Sequence, residues 1–288
     1  MKPKSKLLVV ALALLPHLNC NQPNFNITPY PKISNLETRL TEANQILRDF
    51  PNSIPGAVKI SKHPTPDAKY CLVHIRQVHH LNSTNFKKLF KKEGITDPKE
   101  IRDRLTETYY YINEVQENIY HILNFLANNG ISNEVYAEGI TQEPVEGSLA
   151  VIYTTHRKDI ANILWNIKEL DFRYVTGAEI LLGLEKVIKV KPAETFELNI
   201  AALKATTYEE LRDLHEKRED IVLELVSKQE NPLAVMVYGG RHAWGGKKSS
   251  SVYYFLNDRK SSRDNIAEWN KNNPNEKFSL IEILPKGY

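Results

Sequence analysis

Two segments far apart in the chain each place histidine just beyond an apolar, β-forming run. CLVHIRQVHH ends at His79 and His80, and LAVMVYGGRHAWGG carries His242. A third run, ISNEVYAEG, delivers Glu138 to a glycine turn, and the charged segment LRDLHEKREDIVLELVSKQ holds Arg218. Histidine supplies a neutral nitrogen ligand or a proton shuttle near neutral pH, and glutamate supplies an anionic ligand or a base. Two histidines and one carboxylate suit a hydrolytic divalent metal that keeps a position for water. His79, Glu138 and His242 form that trio, as catalytic groups or as metal ligands. Arg218 would stabilise negative charge on a substrate or pair with Glu138. Their spacing is no known short metal motif, so the chemistry depends on the fold bringing distant strand ends together.

Each group also has a plainer use. His79 or His80 can hydrogen-bond loop backbone, and Glu138 can cap the next turn through backbone N–H groups. Arg218 can be one end of a surface i,i+4 pair, and Gly239 and Gly240 can simply permit a tight turn. Around the trio, Gln77, His80 and Trp244 are expected at the periphery. His74 lies inside its strand and is expected to be a hydrogen-bonded core residue. Glu179 is expected to be an acid near a helix N-terminus.

The elements that must position these groups alternate. ISNLETRLTEANQILRDFP reads as a first helix closed by Pro51 and Pro55, and AKYCLVHIRQVH as a central strand. Asn82 to Lys99 reads as a loop or lid beside the histidine-bearing strand end. From Pro98 to Asn129, Ile112, Val115, Ile119, Ile122 and Leu126 recur at spacings of three and four, and Asn129-Gly130 supplies a stop. Residues 149–208 read as helical in outline, with Lys191-Pro192-Ala193-Glu194 as a break. Leu211 to Gln229 reads as an amphipathic helix feeding the strand LAVMVYGG, and the C-terminus as a helix, a loop with Pro274 and a last strand at one edge. Strand, helix and strand in succession predict an α/β fold: a mostly parallel central sheet with helices on both faces.

The N-terminus speaks to location. Three lysines lie within Met1 to Lys6, Leu7 to Leu15 is uninterrupted apolar chain, and Pro16 follows, as in a secretory signal. The expected organisation is a signal peptide over 1–20, a polar linker over 21–33 and one α/β domain over 34–288. Cys20 stands where a lipoprotein signal would place its cysteine, although His17, Leu18 and Asn19 depart from the usual small residue before it. Ordinary cleavage nearby is the alternative, so membrane contact is expected only through a lipid anchor at Cys20. The chain has 38 basic and 35 acidic side chains, and loss of Lys2, Lys4 and Lys6 leaves 35 against 35. That neutral balance argues against a nucleic-acid partner. Cys20 and Cys71 are the two cysteines, one at the processing site and one in a strand, so no disulfide framework is expected.

The order of these features resembles the TraB, Tiki, ChaN and erythromycin-esterase-like superfamily. The features are a strand ending in histidine, a helix bearing Gln116, a strand ending in Glu138 and a GAE segment at Gly177. A helix with Arg218-Glu219-Asp220 and a strand ending in Gly239-Gly240-Arg241-His242 follow. The likeness runs from about Lys69 to Gly246. The superfamily is characterised by two G-x-x-H motifs, an acidic residue after an early strand and an arginine on a late helix. Here the second motif stands at Gly239 to His242. The first has Arg76 in place of glycine and Gln77 where many members carry glutamate, and glutamine is neither a base nor a strong ligand for hard metals. The resemblance implies an exported hydrolase acting on a small-molecule or peptide substrate, metal-assisted or not. It equally implies a ChaN-like lipoprotein that binds haem or another tetrapyrrole, or an exported protein that keeps the fold without catalysis.

Overall fold

The computed structural model describes residues 36–78, 90–91, 94–164, 173–204, 208–239 and 265–288. The expected signal segment and polar linker, Cys20, most of the expected lid, His79, His80, His242 and Trp244 lie outside them.

Seven α-helices and six strands follow one another among the described residues, with a short 3-10 turn at Tyr174–Thr176. They are α1 (Leu36–Asp49), β1 (Ala57–His63), β2 (Tyr70–Gln77), α2 (Pro98–Asn128), β3 (Glu134–Ala137), α3 (Ser148–Leu164) and α4 (Ala178–Leu184). Then come β4 (Lys189–Pro192), α5 (Phe196–Lys204), α6 (Tyr208–Ser227), β5 (Leu233–Gly239), α7 (Asn265–Asn272) and β6 (Phe278–Pro285). The strands form one six-stranded sheet in the order β1-β6-β2-β5-β3-β4. Every pairing is parallel except β1 with β6.

The coarse α/β expectation is met, and helices cover both faces. Alternation along each strand divides the core. Cys71, Val73 and Ile75 of β2, with Val235 and Val237 of β5, pack toward α1, α2 and α4. Leu72 of β2, with Met236 and Tyr238 of β5, packs toward Val222, Leu223 and Val226 of α6 and Ile266 of α7. Strands buried on both sides read as continuous apolar runs, which is why β2 and β5 stand out in the sequence.

The long helix α2 begins where side-chain chemistry starts it. The Asp97 carboxylate accepts from the Lys99 and Glu100 amides at 3.4 and 3.2 Å, and Pro98 fills the first turn. Leu105, Tyr109, Ile112, Val115, Ile119, Ile122 and Leu126 form its buried stripe. Gly130, at φ 65°, supplies the left-handed residue just past the end.

Two expectations need correction. The last strand is not at an edge: β6 lies between β2 and β1, because Ala57–His63 adds an antiparallel strand outside it. Residues 149–208 are not helical throughout, because β4 occupies Lys189–Pro192 and pairs with β3. Both unforeseen strands are at edges, where half-solvated positions take lysine and carry little apolar signal.

The strand order also locates a crevice. From β3 the chain moves outward to β4, whereas from β5 it moves the other way, past β2 to β6. Connections that part in this way leave an opening above the carboxyl ends of two neighbouring strands, here β5 and β3.

Candidate functional site

Glu138 is the first residue after β3, at that opening. Its backbone N–H donates to the Val237 carbonyl at 3.1 Å, which continues the β3–β5 ladder by one residue. The side chain then turns across the end of β5. Its Oε2 accepts from the Gly239 amide at 2.5 Å, and its Oε1 accepts from Arg218 Nη2 at 2.9 Å.

Arg218 reaches this point from α6 and meets a second carboxylate. Its Nη2 also donates to Glu194 Oε1, and its Nη1 donates to His215 Nδ1 at 3.1 Å. Glu194 stands two residues beyond β4 and takes donors from several elements. Its Oε1 accepts from the Tyr238 hydroxyl at 3.2 Å and the Gly139 amide at 3.1 Å, and its Oε2 accepts from Asn199 Nδ2 at 3.0 Å. The Arg218, Glu138 and Glu194 side chains are 8%, 6% and 0% exposed, so the cluster lies out of bulk water. Such groups persist in a low dielectric only when paired.

The local electrostatics follow from this packing. Burial disfavours the Arg218 cation, but Tyr238, Glu138 and Glu194 around it reverse the effect, and its pKa rises above the usual arginine value. Burial pushes the Tyr238 phenol well above its ordinary range, and the Glu138 charge adds to the shift. Tyr238 therefore serves as a neutral hydroxyl donor to Glu194.

A second polar chain anchors the end of β2 on the opposite face. Gln77 Nε2 donates to the Val237 carbonyl at 3.5 Å, and Gln77 Oε1 accepts from Gln116 Nε2 at 3.3 Å. Gln116 Nε2 also donates to the Val78 carbonyl at 3.2 Å, and its Oε1 accepts from the Ala178 amide at 3.0 Å. Gln77, Gln116 and the GAE segment, scattered in sequence, thus meet beneath the end of β2. Glu179 of that segment is buried, in the first turn of α4. The Val237 carbonyl joins the two networks, since it accepts from both Gln77 and Glu138.

His74 is fully buried, with Nε2 3.1 Å from the Tyr238 carbonyl oxygen, as expected of a hydrogen-bonded core histidine. Arg76 pairs with Glu282 of β6 at 2.7 Å, and His63 of β1 lies 3.1 Å from the other oxygen of that carboxylate. Burial would raise the Glu282 pKa. The Arg76 hydrogen bond and charge, with His74 and His63 nearby, outweigh that and hold it low.

Of the four catalytic candidates, Glu138 and Arg218 are described and come together as an ion pair; His79 and His242 lie outside the described residues. Sequence reading missed Glu194, Tyr238 and His215. Glu194 follows a four-residue edge strand that itself left little trace. His215 had one signal: it precedes Arg218 by three residues on a helix, so both share a face.

Among the described residues no group of three or more His, Cys, Asp or Glu side chains is disposed to hold a metal ion. Of the expected ligands, Glu138 alone is described. Its carboxylate accepts from Arg218 and from the Gly239 amide. Among the described residues no helix is long and apolar enough to cross a membrane.

Fold and site together define an open, mostly parallel α/β protein with a buried carboxylate–guanidinium cluster at the carboxyl edge of its sheet. No protein-family model, curated protein or solved structure matches the chain.

Proposed function

We propose that the carboxyl edge of the sheet is a hydrolytic site in which His79, Glu138 and His242 activate water. The observation that carries this reading is the placement of Glu138 where the connections of β5 and β3 part, held between Arg218 and the Gly239 amide. The neighbouring strands β2 and β5 run parallel with Gln77 opposite Gly239. His79 follows Gln77 by two residues and His242 follows Gly239 by three. Covalent reach alone tethers them within about 7 and 11 Å of those strand ends. The resemblance to a superfamily with hydrolytic members points the same way, and the lysine-flanked apolar N-terminus suggests work outside the cytoplasm.

In this mechanism a histidine takes a proton from water as it attacks a carbonyl carbon, and Glu138 supplies the adjacent negative charge that stabilises the imidazolium; the imidazolium then gives the proton to the leaving alkoxide or amine as its bond to that carbon breaks. Arg218 fixes the Glu138 carboxylate, and Glu194 with Tyr238 fixes Arg218. A divalent metal, when bound, would be held by His79, Glu138 and His242 and would lower the pKa of its water.

The test is hydrolysis of p-nitrophenyl acetate by the purified protein beside His242→Ala. The variant is expected to lose turnover while its thermal midpoint stays nearly unchanged, since a residue beyond a strand end contributes little to the core. Wild-type rates in the variant would count against the reading. A Soret band with stoichiometric haem in the wild type would replace it with the tetrapyrrole-binding alternative.

A further inference from the structure

Beyond Glu138 the chain makes an excursion before α3, and little apolar contact holds it. The segment Gly139–Gly147 carries no fully buried residue. Ile140 packs half-buried against the core, while Val145 is 70% exposed. Gly139 and Gly147 bracket the segment, both in the left-handed region at φ 83° and 82°. A Cβ at either would meet nothing within 4 Å, so glycine serves there for its backbone freedom and not for space. Two such pivots with open room around them suit a segment that swings as a unit.

The segment is fastened at two places. At its root, the Gly139 amide donates to Glu194 Oε1 at 3.1 Å, and the Ala193 amide donates to the Ile140 carbonyl at 3.1 Å. Further along, Glu143 meets the edge strand β4: its Oε1 accepts from Lys191 Nζ at 3.0 Å and lies 3.6 Å from Lys189 Nζ. Lys191 and Lys189 also face Glu134 of β3, at 3.6 and 4.0 Å. The Lys191 hydrogen bond and charge, with Lys189 behind them, hold the Glu143 carboxyl below its ordinary value, so this fastening is ionised at neutral pH. It is also weak. The Glu143 and Lys189 side chains are 59% and 55% exposed, where water and salt screen the attraction.

The root of the segment covers Glu194, the buried partner of Arg218. Lifting it takes a donor from Glu194 and leaves that side of the ion pair to water. We propose that Gly139–Gly147 is a strap that pivots on its two glycines, is latched by Glu143 on Lys191 and Lys189, and on opening admits water to the Glu138–Arg218–Glu194 cluster. The strap is a property of the fold and does not depend on the hydrolytic reading.

Amide hydrogen exchange in the full chain tests it. The Gly139 and Ala193 amides report the strap, and Gly139 also reports whether water has reached the cluster, because its acceptor is Glu194. The Lys189 amide, which donates to the Asn133 carbonyl at 2.7 Å, reports the pairing of β3 with β4. In the wild type Gly139 and Ala193 should share one protection factor, lower than that of Lys189, because they open together while the sheet stays paired. Glu143→Gln should lower the protection of both by about 2–5-fold, as loss of an exposed ion pair would, and leave Lys189 unchanged. Sodium chloride at about 0.5 M should have the same effect on the wild type and none on the variant. Wild-type protection of Gly139 and Ala193 in Glu143→Gln would overturn the latch. Unequal protection of the two amides, or protection equal to that of Lys189, would overturn the hinged strap.

Discussion

Replacing Arg218 with methionine removes one guanidinium and strands two carboxylates. Glu138 lies 2.9 Å away and Glu194 is also in direct contact, with side chains 6% and 0% exposed. At ~3 Å and an effective dielectric of ~20, each pair attracts by about 5 kcal/mol, most of it offset by the desolvation of the charges. Removing one partner of a buried pair costs about 3–5 kcal/mol, because the remaining charge stays buried. Two stranded carboxylates would exceed that range if each lost all its partners. Both keep donors, however: the Gly239 amide for Glu138, and Tyr238, the Gly139 amide and Asn199 for Glu194. The expected loss is therefore about 3–5 kcal/mol, roughly a fifth or more of the stability of a typical domain. In urea unfolding at pH 7 the midpoint should fall by about 1–3 M with an unchanged slope. Arg218→Lys keeps a charge but not the planar fork, and should lie between wild type and Arg218→Met. Adding Glu194→Gln to Arg218→Met removes one stranded charge and should return part of the loss. A loss under about 1 kcal/mol in Arg218→Met would refute the buried ion-pair account.

Further outcomes follow from other parts of the molecule. The Glu282 carboxyl is held below its ordinary value in the fold, so its pairing stabilises the protein above the unfolded carboxylate value of about 4.3 and is lost as pH falls through the lower folded value. Arg76→Met should therefore be about 1–3 kcal/mol less stable than wild type at pH 7, with the two converging in acid; a constant difference down to pH ~2 would contradict this. The Cys71 thiol is fully buried, and burial pushes its pKa up to about 12. It should resist Ellman's reagent in native protein at pH 8 and react fully in urea; prompt labelling of the native state would contradict its placement. Protein from its native source should lack residues 1 to at least 19, by intact mass. An intact Met1 in the soluble cytoplasmic fraction would defeat the export reading, and a diacylated Cys20 would decide for anchoring.

The parts of the fold legible in the sequence are those whose environment is uniform along the chain. β2 and β5 are buried on both faces and appear as apolar runs, while α2 carries one long stripe and a cap at each end. β1 and β4 were illegible because edge strands need only a half-buried pattern, and AVKISKH and KVKP interleave lysine with their few apolar residues. Misplacing β6 at an edge followed from missing β1. The site was legible to the extent that its groups end recognisable strands or mark a charged helix, as Glu138 and Arg218 do. Glu194 and Tyr238 reach the cluster because β4, β3 and β5 are neighbours, and no local pattern encodes strand order. The Gln77–Gln116–Ala178 chain shows the same limit, since each residue is unremarkable until α2 crosses the end of β2.

The central claim is that Glu138 and His242 act in one site, and the turnover rate of the Glu138→Gln/His242→Ala double variant tests it most directly. Groups that act as a unit lose their effect together. With p-nitrophenyl acetate, the double variant is expected to be no slower than the slower single variant, each single change having cost at least about 10²-fold. Losses that multiply, or wild-type rates in either single variant, would contradict a shared site.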